Sequence, residues 1–508
     1  MAISSVHPKY LQFSALWLKM RDCFLGADHV KAQGTLYLPP TPAMRYDGMK
    51  PGEDGYIRYN DYKDRAVFPE YVADAVVNHS GMLHSKSAII QLPAAMEPLR
   101  QSATSKREGL DQLLRRINEL QLRDGRLGLL LELPAGSTRD TLPYIAVYEA
   151  LSIRNWDDGE DDLGSLNFNL VVLDESKEVM DKTSFDWTYK VQYRVLVLGS
   201  ANVDEPSDSG YVYGQYMTEL VPGEDDEPEE VSSDVVVPQY KGTPLEQIPF
   251  VFCNAMDLVP EPDKPPLLAL ANRCISIYQG EADYRQALFM QSQDTLVVRG
   301  GITNSDAVDD KAPVRVGAGA RIDVSPDGDA KYIGTNSQGL PEQRKALEAD
   351  HKDAQTRSGH LTSAESAAQE SGDALETRLI TKTASLVGIA KTGAAALEKI
   401  LRICAIWMGL DPEEVKVTPN LDFSKANIEG QELVQVQTAK NLGAPLCAES
   451  MHNWLQDKGM TSLTFEEEME RLEKEREEYP FLLPQVKNDQ NQIQQTTGKQ
   501  TGNENADK

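Results

Sequence analysis

One stretch sets the organisation of the whole chain: residues 263–290 read DKPPLLALANRCISIYQGEADYRQALFM. The paired prolines close a linker, and proline suits the first turn of a helix because the N–H that it lacks would have no helical partner there. The sequence therefore predicts a helix over residues 265–290. Its apolar side chains recur at helical spacing: Leu267, Leu270, Ile275, Tyr278 and Tyr284.

After this helix the pattern changes to short apolar runs separated by turn residues. Four strands are predicted, which together form a small β module: 295–298, 314–316, 321–324 and 331–333. A second helix is predicted from Pro341 to Gly359. Its charged and amide side chains are interrupted only by Ala346, Leu347, Ala349 and Ala354. A helix that is polar on all sides cannot be packed in a core, so solvent must border most of it.

A third helix is the strongest that the pattern predicts. It follows a run of Ser, Ala, Glu and Gly at residues 358–372, and its apolar stripe extends from Leu375 to Met408. Shorter helices are predicted after it, over residues 428–441, 445–458 and 465–478. From residue 485 the chain is rich in Gln, Asn, Thr and Gly, and we expect it to be disordered.

Before the linker the chain mixes helices and strands. Helices are predicted over residues 56–84 and 106–122. The apolar period then changes to two, which predicts strands separated by Asp, Gly and Ser turns: 144–148, 168–173, 189–198 and 211–220. An antiparallel sheet with helices beside it should occupy roughly residues 100–255, and the expected fold class is α+β.

The composition excludes several classes of protein. The 508 residues hold 51 Lys and Arg against 79 Asp and Glu, and this net charge of −28 argues against a broad basic face that grips nucleic acid. No apolar run approaches the ~18 residues of a membrane span, and residues 1–20 lack the pattern of a signal peptide. The five cysteines have no paired spacing, so we expect free thiols rather than disulfides or a zinc site.

No motif assembles a catalytic site. The segment from Gly388 to Gly393 is the nearest to a phosphate loop, but Ala394 and Ala395 stand where Lys and Ser or Thr are needed. His79 and His84 lack the glutamate of a metalloprotease helix. We therefore expect a protein that is not an enzyme, with no catalytic residue, no bound metal and no cofactor.

The order of these elements resembles the portal proteins of tailed bacteriophages, in particular podovirus-type head-to-tail connectors. Segments 263–270 and 281–284 resemble the portal stem helix that leads into the clip. Upstream segments match the same pattern: Gly125–Leu130, Asn155–Trp156, Tyr193–Leu196 and Ile248–Phe250. The resemblance extends over most of residues 10–480, whereas the acidic segment 222–230 and the polar tail match nothing in the family.

The resemblance implies an α+β portal-type fold, assembled as a ring, with wing, stem, clip and crown regions. Residues 1–264 would form the α/β wing. The other regions would follow in chain order: first stem helix 265–290, β-containing clip 291–338, second stem helix 339–358, tunnel loop 359–372, long wing helix 373–408, wing end and helical crown 409–484, and disordered tail 485–508.

The resemblance also implies a function. A portal is a ring, usually of twelve subunits, at one vertex of the capsid. A separate terminase motor packages the genome through its channel, the genome is later ejected through it, and the tail adaptor attaches to it. The expected partners are further copies of the chain, the major capsid protein, the terminase large subunit, the head–tail adaptor and double-stranded DNA without sequence specificity, but no membrane. The protein would be made in the host cytoplasm and reside in the virion.

Two sets of cations are the candidate functional residues. Those expected to line the DNA channel are Lys345, Lys352, Arg357 and His360. Those expected on the clip surface are Arg299, Arg315, Arg321 and Lys331. The acidic composition fits a conduit, because twelve copies of −28 would give −336 formally and would discourage phosphate groups from binding to the wall.

Two alternatives stay open. One is an unrelated structural protein of a virion or a secretion apparatus, which a non-ring oligomer seen by electron microscopy would favour. The other is a hydrolase whose site is assembled from residues distant in sequence. A cluster of His and carboxylate side chains in a closed pocket would favour the hydrolase.

Overall fold

The computed structural model describes residues 5–134, 141–157, 169–199, 212–222, 228–291, 295–299, 327–333, 339–358, 372–421, 437–438, 440, 447–457, 461 and 463–478. The chain divides into an N-terminal unit, Met1–Phe423, and a C-terminal unit, Ser424–Lys508. The N-terminal unit combines helices with antiparallel sheets, which confirms the α+β class.

The described helices and strands are as follows. The α-helices are α1 Pro8–Leu25, α2 Ala27–Ala32, α3 Pro42–Tyr46, α4 Asp54–Arg65, α5 Tyr71–Leu83, α6 Leu110–Asp124, α7 Leu268–Gln291, α8 Leu340–Arg357, α9 Gly372–Met408, α10 Ala448–Asp457 and α11 Phe465–Glu478. The strands are β1 Ile89–Gln91, β2 Arg126–Glu132, β3 Tyr144–Glu149, β4 Ile153–Trp156, β5 Leu170–Asp174, β6 Lys177–Met180, β7 Trp187–Gly199, β8 Val212–Pro222, β9 Pro228–Ser232, β10 Gln239–Tyr240, β11 Thr243–Pro244, β12 Phe250–Asn254, β13 Thr295–Arg299, β14 Asp329–Ile333 and β15 Lys416–Thr418.

A small three-stranded sheet forms the centre of the N-terminal unit. Its antiparallel order is β12-β2-β3, and every residue of β2 is buried. The run of leucines in β2 suits this position, because both faces of the central strand are covered. Glycine at position 128 of β2 leaves room for the neighbouring strand, since a Cβ there would collide with the ring of Phe250.

The larger sheet has the order β4-β5-β7-β8-β9, and β6 pairs with the first residues of β7. β7 and β8 form its longest pairing, from Val191 opposite Leu220 to Gly199 opposite Val212. Further two-stranded pairings are β1-β15, β10-β11 and β13-β14. All of these pairings are antiparallel.

Two large apolar cores stabilise the N-terminal unit. The first lies between α6, the three-stranded sheet and the C-terminal half of α9. The second is formed by α1, α4, α5, α7 and the segment of α9 around Leu386 and Ile389. The helix α9 contributes to both cores, so it ties them together.

Three helix boundaries differ from the sequence prediction for local reasons. The helix predicted over residues 56–84 is two helices, α4 and α5, because Pro69 between them cannot donate a helical hydrogen bond. α6 begins at Leu110 rather than 106, since Arg107 has a left-handed φ of 62°. α7 begins at Leu268, whose N–H donates to the Pro265 carbonyl in a preceding turn.

Several other predicted elements are confirmed. α11 has the predicted bounds 465–478, α10 lies inside residues 445–458, and β13 and β14 occupy two of the four strands of the small β module. The other two strands, 314–316 and 321–324, lie outside the described residues, as do the tail 485–508 and nearly all of the helix 428–441. The division into wing, stem, clip and crown stays a prediction.

Candidate functional site

The pair of helices α7 and α8 is the part of the fold on which the candidate site depends. Arg273 of α7 lies 2.8 Å from Asp350 and 3.1 Å from Asp353 of α8. Further along α7, a Cβ at Gly280 would lie 2.9 Å from Leu347 Cδ2, so the glycine allows a close approach. From Arg273 to Gly280 the residue numbers rise along α7, whereas their contacts on α8 fall from Asp350 and Asp353 to Leu347. The two helices are therefore antiparallel.

The helix α7 is anchored firmly to the second core. The Tyr62 hydroxyl of α4 donates to Asp283 at 2.5 Å, and Arg65 donates to Gln286 at 2.9 Å. The guanidinium of Arg65 also lies 4.2 Å above the Phe289 ring. Burial and the Asp283 carboxylate raise the pKa of the Tyr62 hydroxyl, so it stays protonated and remains a donor.

The helix α8 is held by fewer contacts. Among its residues, all of which the structure describes, Leu347 and Ala354 are the buried ones. The Tyr71 hydroxyl of α5 hydrogen-bonds His351 Nδ1 at 2.9 Å, and Gln355 Nε2 donates to the same hydroxyl at 3.3 Å. Most of the remaining surface of α8 is exposed, which agrees with the polar pattern of its sequence.

Three of the four predicted channel residues lie on the exposed surface of α8, and His360 lies outside the described residues. Lys345 pairs with Glu342 at 2.8 Å, and Arg357 pairs with Asp353 at 3.0 Å. Lys352 forms no ion pair within the part of the chain that the structure describes. Of the three described channel residues, Lys352 is therefore the cation that no carboxylate of its own helix neutralises.

Helical geometry places two of these lysines together. At 100° per residue, Lys345 and Lys352 lie within about 20° of each other and at least about 140° from the buried Leu347 and Ala354. They consequently point away from α7 and the core. Arg357 lies on the flank of the helix between these two directions.

The four predicted clip cations are only half described. Arg299 and Lys331 are exposed on the β13-β14 pair, whereas Arg315 and Arg321 lie outside the described residues. Arg299 is directly opposite Asp329, and Lys331 Nζ lies 3.9 Å from the Asp329 carboxylate. Because directly opposed residues share a face and successive residues alternate, all three side chains occupy one face of the pair.

A separate cleft of about 450 Å³ opens on the larger sheet, and we call it the sheet cleft. Its charged lining includes Arg194, which lies 2.7 Å from Glu132 and pairs with Glu175 outside the lining at 2.7 Å. Burial raises the pKa of Glu132, and the positive charge of Arg194 opposes this shift. Each of these charges has a partner among the described residues, and the described lining holds no His or Cys.

The segment that came nearest to a phosphate loop, Gly388–Gly393, is an internal part of α9. The Thr392 hydroxyl donates to the Gly388 carbonyl at 2.9 Å, as helical Ser and Thr often do. Gly393 faces α6, where a Cβ would collide with Asn118 Nδ2 and lie 2.7 Å from Gln121 Oε1. The glycine serves helix packing.

Within the described residues, no three His, Cys, Asp or Glu side chains come together as metal ligands. No described helix is long and apolar enough to cross a membrane.

One surface feature was missed by sequence reasoning. The hairpin of β6 and β7, residues 177–190, exposes Phe185, Trp187 and Tyr189 by 72%, 64% and 67%. We call it the aromatic hairpin. The alternating pattern Phe-x-Trp-x-Tyr was visible in the sequence, but it is also typical of a half-buried strand, so it did not indicate exposure.

One comparison with known proteins concerns the region from α7 to α9. Residues 266–408 match a family described as Domain of unknown function (DUF4055). No curated protein matches the chain.

Two of the solved structures to which the chain is similar are the neck of a native GTA particle computed with C12 symmetry and the neck of an empty GTA particle computed with C6 symmetry. Both are 13% identical to this chain with a TM-score of 0.34, and the alignments cover 76% of this chain and 89% and 90% of those chains. A TM-score of 0.34 does not establish a common fold, so the proposal for this chain rests on its own sequence and geometry.

Proposed function

We propose that the chain is the subunit of a portal-type ring, a DNA channel at one vertex of a phage-like capsid. The observation that carries the proposal is the antiparallel α7–α8 pair. Ala282 is the last residue of α7 in the second core; α4 still contacts α7 as far as Phe289, and Leu288, Phe289 and Met290 are exposed. The β13-β14 pair follows, and α8 then returns along α7. A stem with a clip at its end requires this path of the chain.

The charges of α8 support a role as channel wall. Its cations Arg344, Lys345 and Arg357 each pair with a carboxylate three or four residues away. Such a surface offers phosphate oxygens little to bind. Lys352 would add one weak contact per subunit, worth at most about 1 kcal/mol when exposed. DNA in such a channel would slide instead of being held.

The proposal also includes the copy number of the ring and its partners. Twelve copies would form the ring in the virion, a separate terminase motor would package DNA through it, and the tail adaptor would later attach. The face that carries Arg299 and Lys331 would be part of the clip surface for these partners. The chain itself would have no enzymatic activity and no cofactor. The hydrolase alternative has no comparable support, since the described lining of the sheet cleft holds no histidine.

The ring is tested on the purified full-length chain by mass photometry and negative-stain imaging. Twelve copies of 56.3 kDa give a particle of about 680 kDa, and class averages should show a central hole. The measurement should be made at about 0.15 M salt, because repulsion between acidic subunits is then screened within about 8 Å. A monomer, a dimer or an oligomer without a hole would contradict the proposal.

A further inference from the structure

The aromatic hairpin exposes apolar side chains that the subunit itself does not use. Met180 is directly opposite Trp187, and Glu178 is opposite Tyr189, so Met180, Trp187 and Tyr189 share one face. All four residues of β6 are exposed, and the first three residues of β7 are exposed as well. A contiguous aromatic patch of this kind marks a surface that binds another molecule.

The tip of the hairpin is an ordered turn. The Asp181 N–H donates to the Asp186 carbonyl at 2.9 Å, and the Phe185 N–H donates to the Asp181 carbonyl at 2.8 Å. This turn holds Phe185 at a φ of 61°, a left-handed conformation that bulky side chains rarely adopt. This strained conformation does not bury the Phe185 side chain within the subunit, because that side chain is exposed. Strained backbone conformations of this kind are typical of functional contacts.

Charge and area indicate that a second copy of the chain covers the aromatic hairpin. Residues 177–190 hold three Lys and three Asp or Glu, so the hairpin is neutral although the chain carries −28. Copies of so acidic a chain repel one another, and a locally neutral, apolar surface avoids that repulsion. At their exposed fractions of 64% to 72%, three aromatic side chains of about 150–250 Å² each would supply about 300–500 Å² of the ~800 Å² that one partner buries in a standard interface.

A receptor of matching character lies on the same sheet. The apolar lining of the sheet cleft includes Met217, Val236 and Val237, and Val236 is 57% exposed. Its volume of about 450 Å³ falls within the range of pockets that bind small molecules. Arg194 at the cleft follows Trp187 by seven residues of β7, about 23 Å along the strand, so the hairpin and the cleft are separate places on one subunit.

We propose that the aromatic hairpin of one subunit seats in the sheet cleft of the next subunit. A projecting element and a receptor at different places on the same chain form a head-to-tail contact, and such contacts close into rings. This inference rests on the proposed ring and names one contact between its copies.

Photo-crosslinking of assembled full-length protein tests the contact. With Trp187→p-benzoylphenylalanine, irradiation should give a covalent dimer whose crosslinked peptides contain lining residues of the cleft in the second copy, at 132–134, 144, 194, 215–217, 233 or 236–239. The matched control places the same amino acid at Tyr46, an exposed tyrosine on α3, and should give no crosslink to those peptides. Rings in which position 187 crosslinks elsewhere, or to no second copy, would overturn the inference and leave the ring proposal intact.

Mutation gives a second readout. Trp187→Ser combined with Tyr189→Ser should lower the yield of rings at least tenfold at equal protein concentration, whereas Tyr46→Ser should not. The thermal midpoint of the unassembled subunit should be unchanged, because these side chains are exposed. Rings at wild-type yield in the double variant would refute the hairpin contact. Failure of the unmodified chain to form rings would refute the proposed function as well.

Discussion

Along α8 the buried apolar residues are Leu347 and Ala354, whereas along the described side chains of α9 apolar burial recurs at every turn from Leu386 to Trp407. Both helices have an ordinary α-helical backbone, and one precedes the other in the chain. The difference lies in what their side chains contact. α9 packs on α6 and the three-stranded sheet, whereas α8 has one narrow contact stripe and an exposed polar surface.

The side chains of α9 therefore stabilise the fold, whereas most of those on α8 are presented to solvent. An exposed ion pair between residues four apart contributes about 0.3–0.5 kcal/mol, whereas burial of one leucine contributes about 1.5–3 kcal/mol. Side chains on the outer face of α8 can therefore change with little effect on folding. Those on α9 cannot, and the comparison between the two helices can be tested residue by residue.

The most direct test compares one leucine on each helix. Leu401 of α9 is fully buried in the first core, and Leu401→Ala should lower the free energy of unfolding by about 2–5 kcal/mol. Leu347→Ala on α8 should cost about 2 kcal/mol or less, since α8 can move toward Gly280 and close the space. Urea denaturation at a fixed protein concentration measures both. An equal or larger cost at Leu347 would break the comparison.

Two glycines of α9 allow a finer test. Gly393→Ala should destabilise the protein by about 1–3 kcal/mol, because the new methyl group enters the space of Asn118 and Gln121. Those side chains are not free to move: Asn118 donates to Gln121 at 2.9 Å, and Gln121 donates to the Asn254 carbonyl at 2.7 Å.

The control for this substitution lies on the same helix. Gly388 has open space around it, so Gly388→Ala should be neutral or stabilising by up to about 1 kcal/mol through helix propensity. Thermal unfolding of the two variants in parallel measures the contrast. If both alanines had the same effect, the close approach of α9 to α6 at Gly393 would not matter energetically.

Local periodicity explains how much of the fold could be predicted. The polar pattern of α8, the apolar stripe of α9 and the bounds of α11 depend on neighbours within a few residues, and the sequence shows them directly. Pro69 was equally visible, and the prediction of one helix over residues 56–84 did not take it into account. The pairing of β1 with β15 joins Ile90 to Val417, and no local pattern could indicate a partner so distant in the chain.

The candidate site was predictable in part for the same reason. The exposure of Lys345 and Lys352 follows from a helix without an apolar face, and the structure agrees. The pairing of Lys345 with Glu342 could also have been read from the spacing, because residues three apart are neighbours on a helix. The exposure of the aromatic hairpin could not, since only tertiary packing decides whether an alternating strand has a covered face.

Among these substitutions, the smallest effect on folding is expected for Lys352, which lies on the exposed surface of α8. Lys352→Ala should leave the free energy of unfolding within about 0.5 kcal/mol and the ring intact, because the side chain is exposed and makes no ion pair within the described residues. If α8 lines a DNA channel, each subunit would lose one phosphate contact of at most about 1 kcal/mol. Particles assembled with the variant should then retain their packaged DNA less well.

Two variants serve as controls for this prediction. Lys352→Arg should behave as the wild type. Lys345→Ala should have a smaller effect, since Glu342 already neutralises that charge. Wild-type retention with Lys352→Ala in intact rings would remove Lys352 from the channel and leave the ring itself untouched.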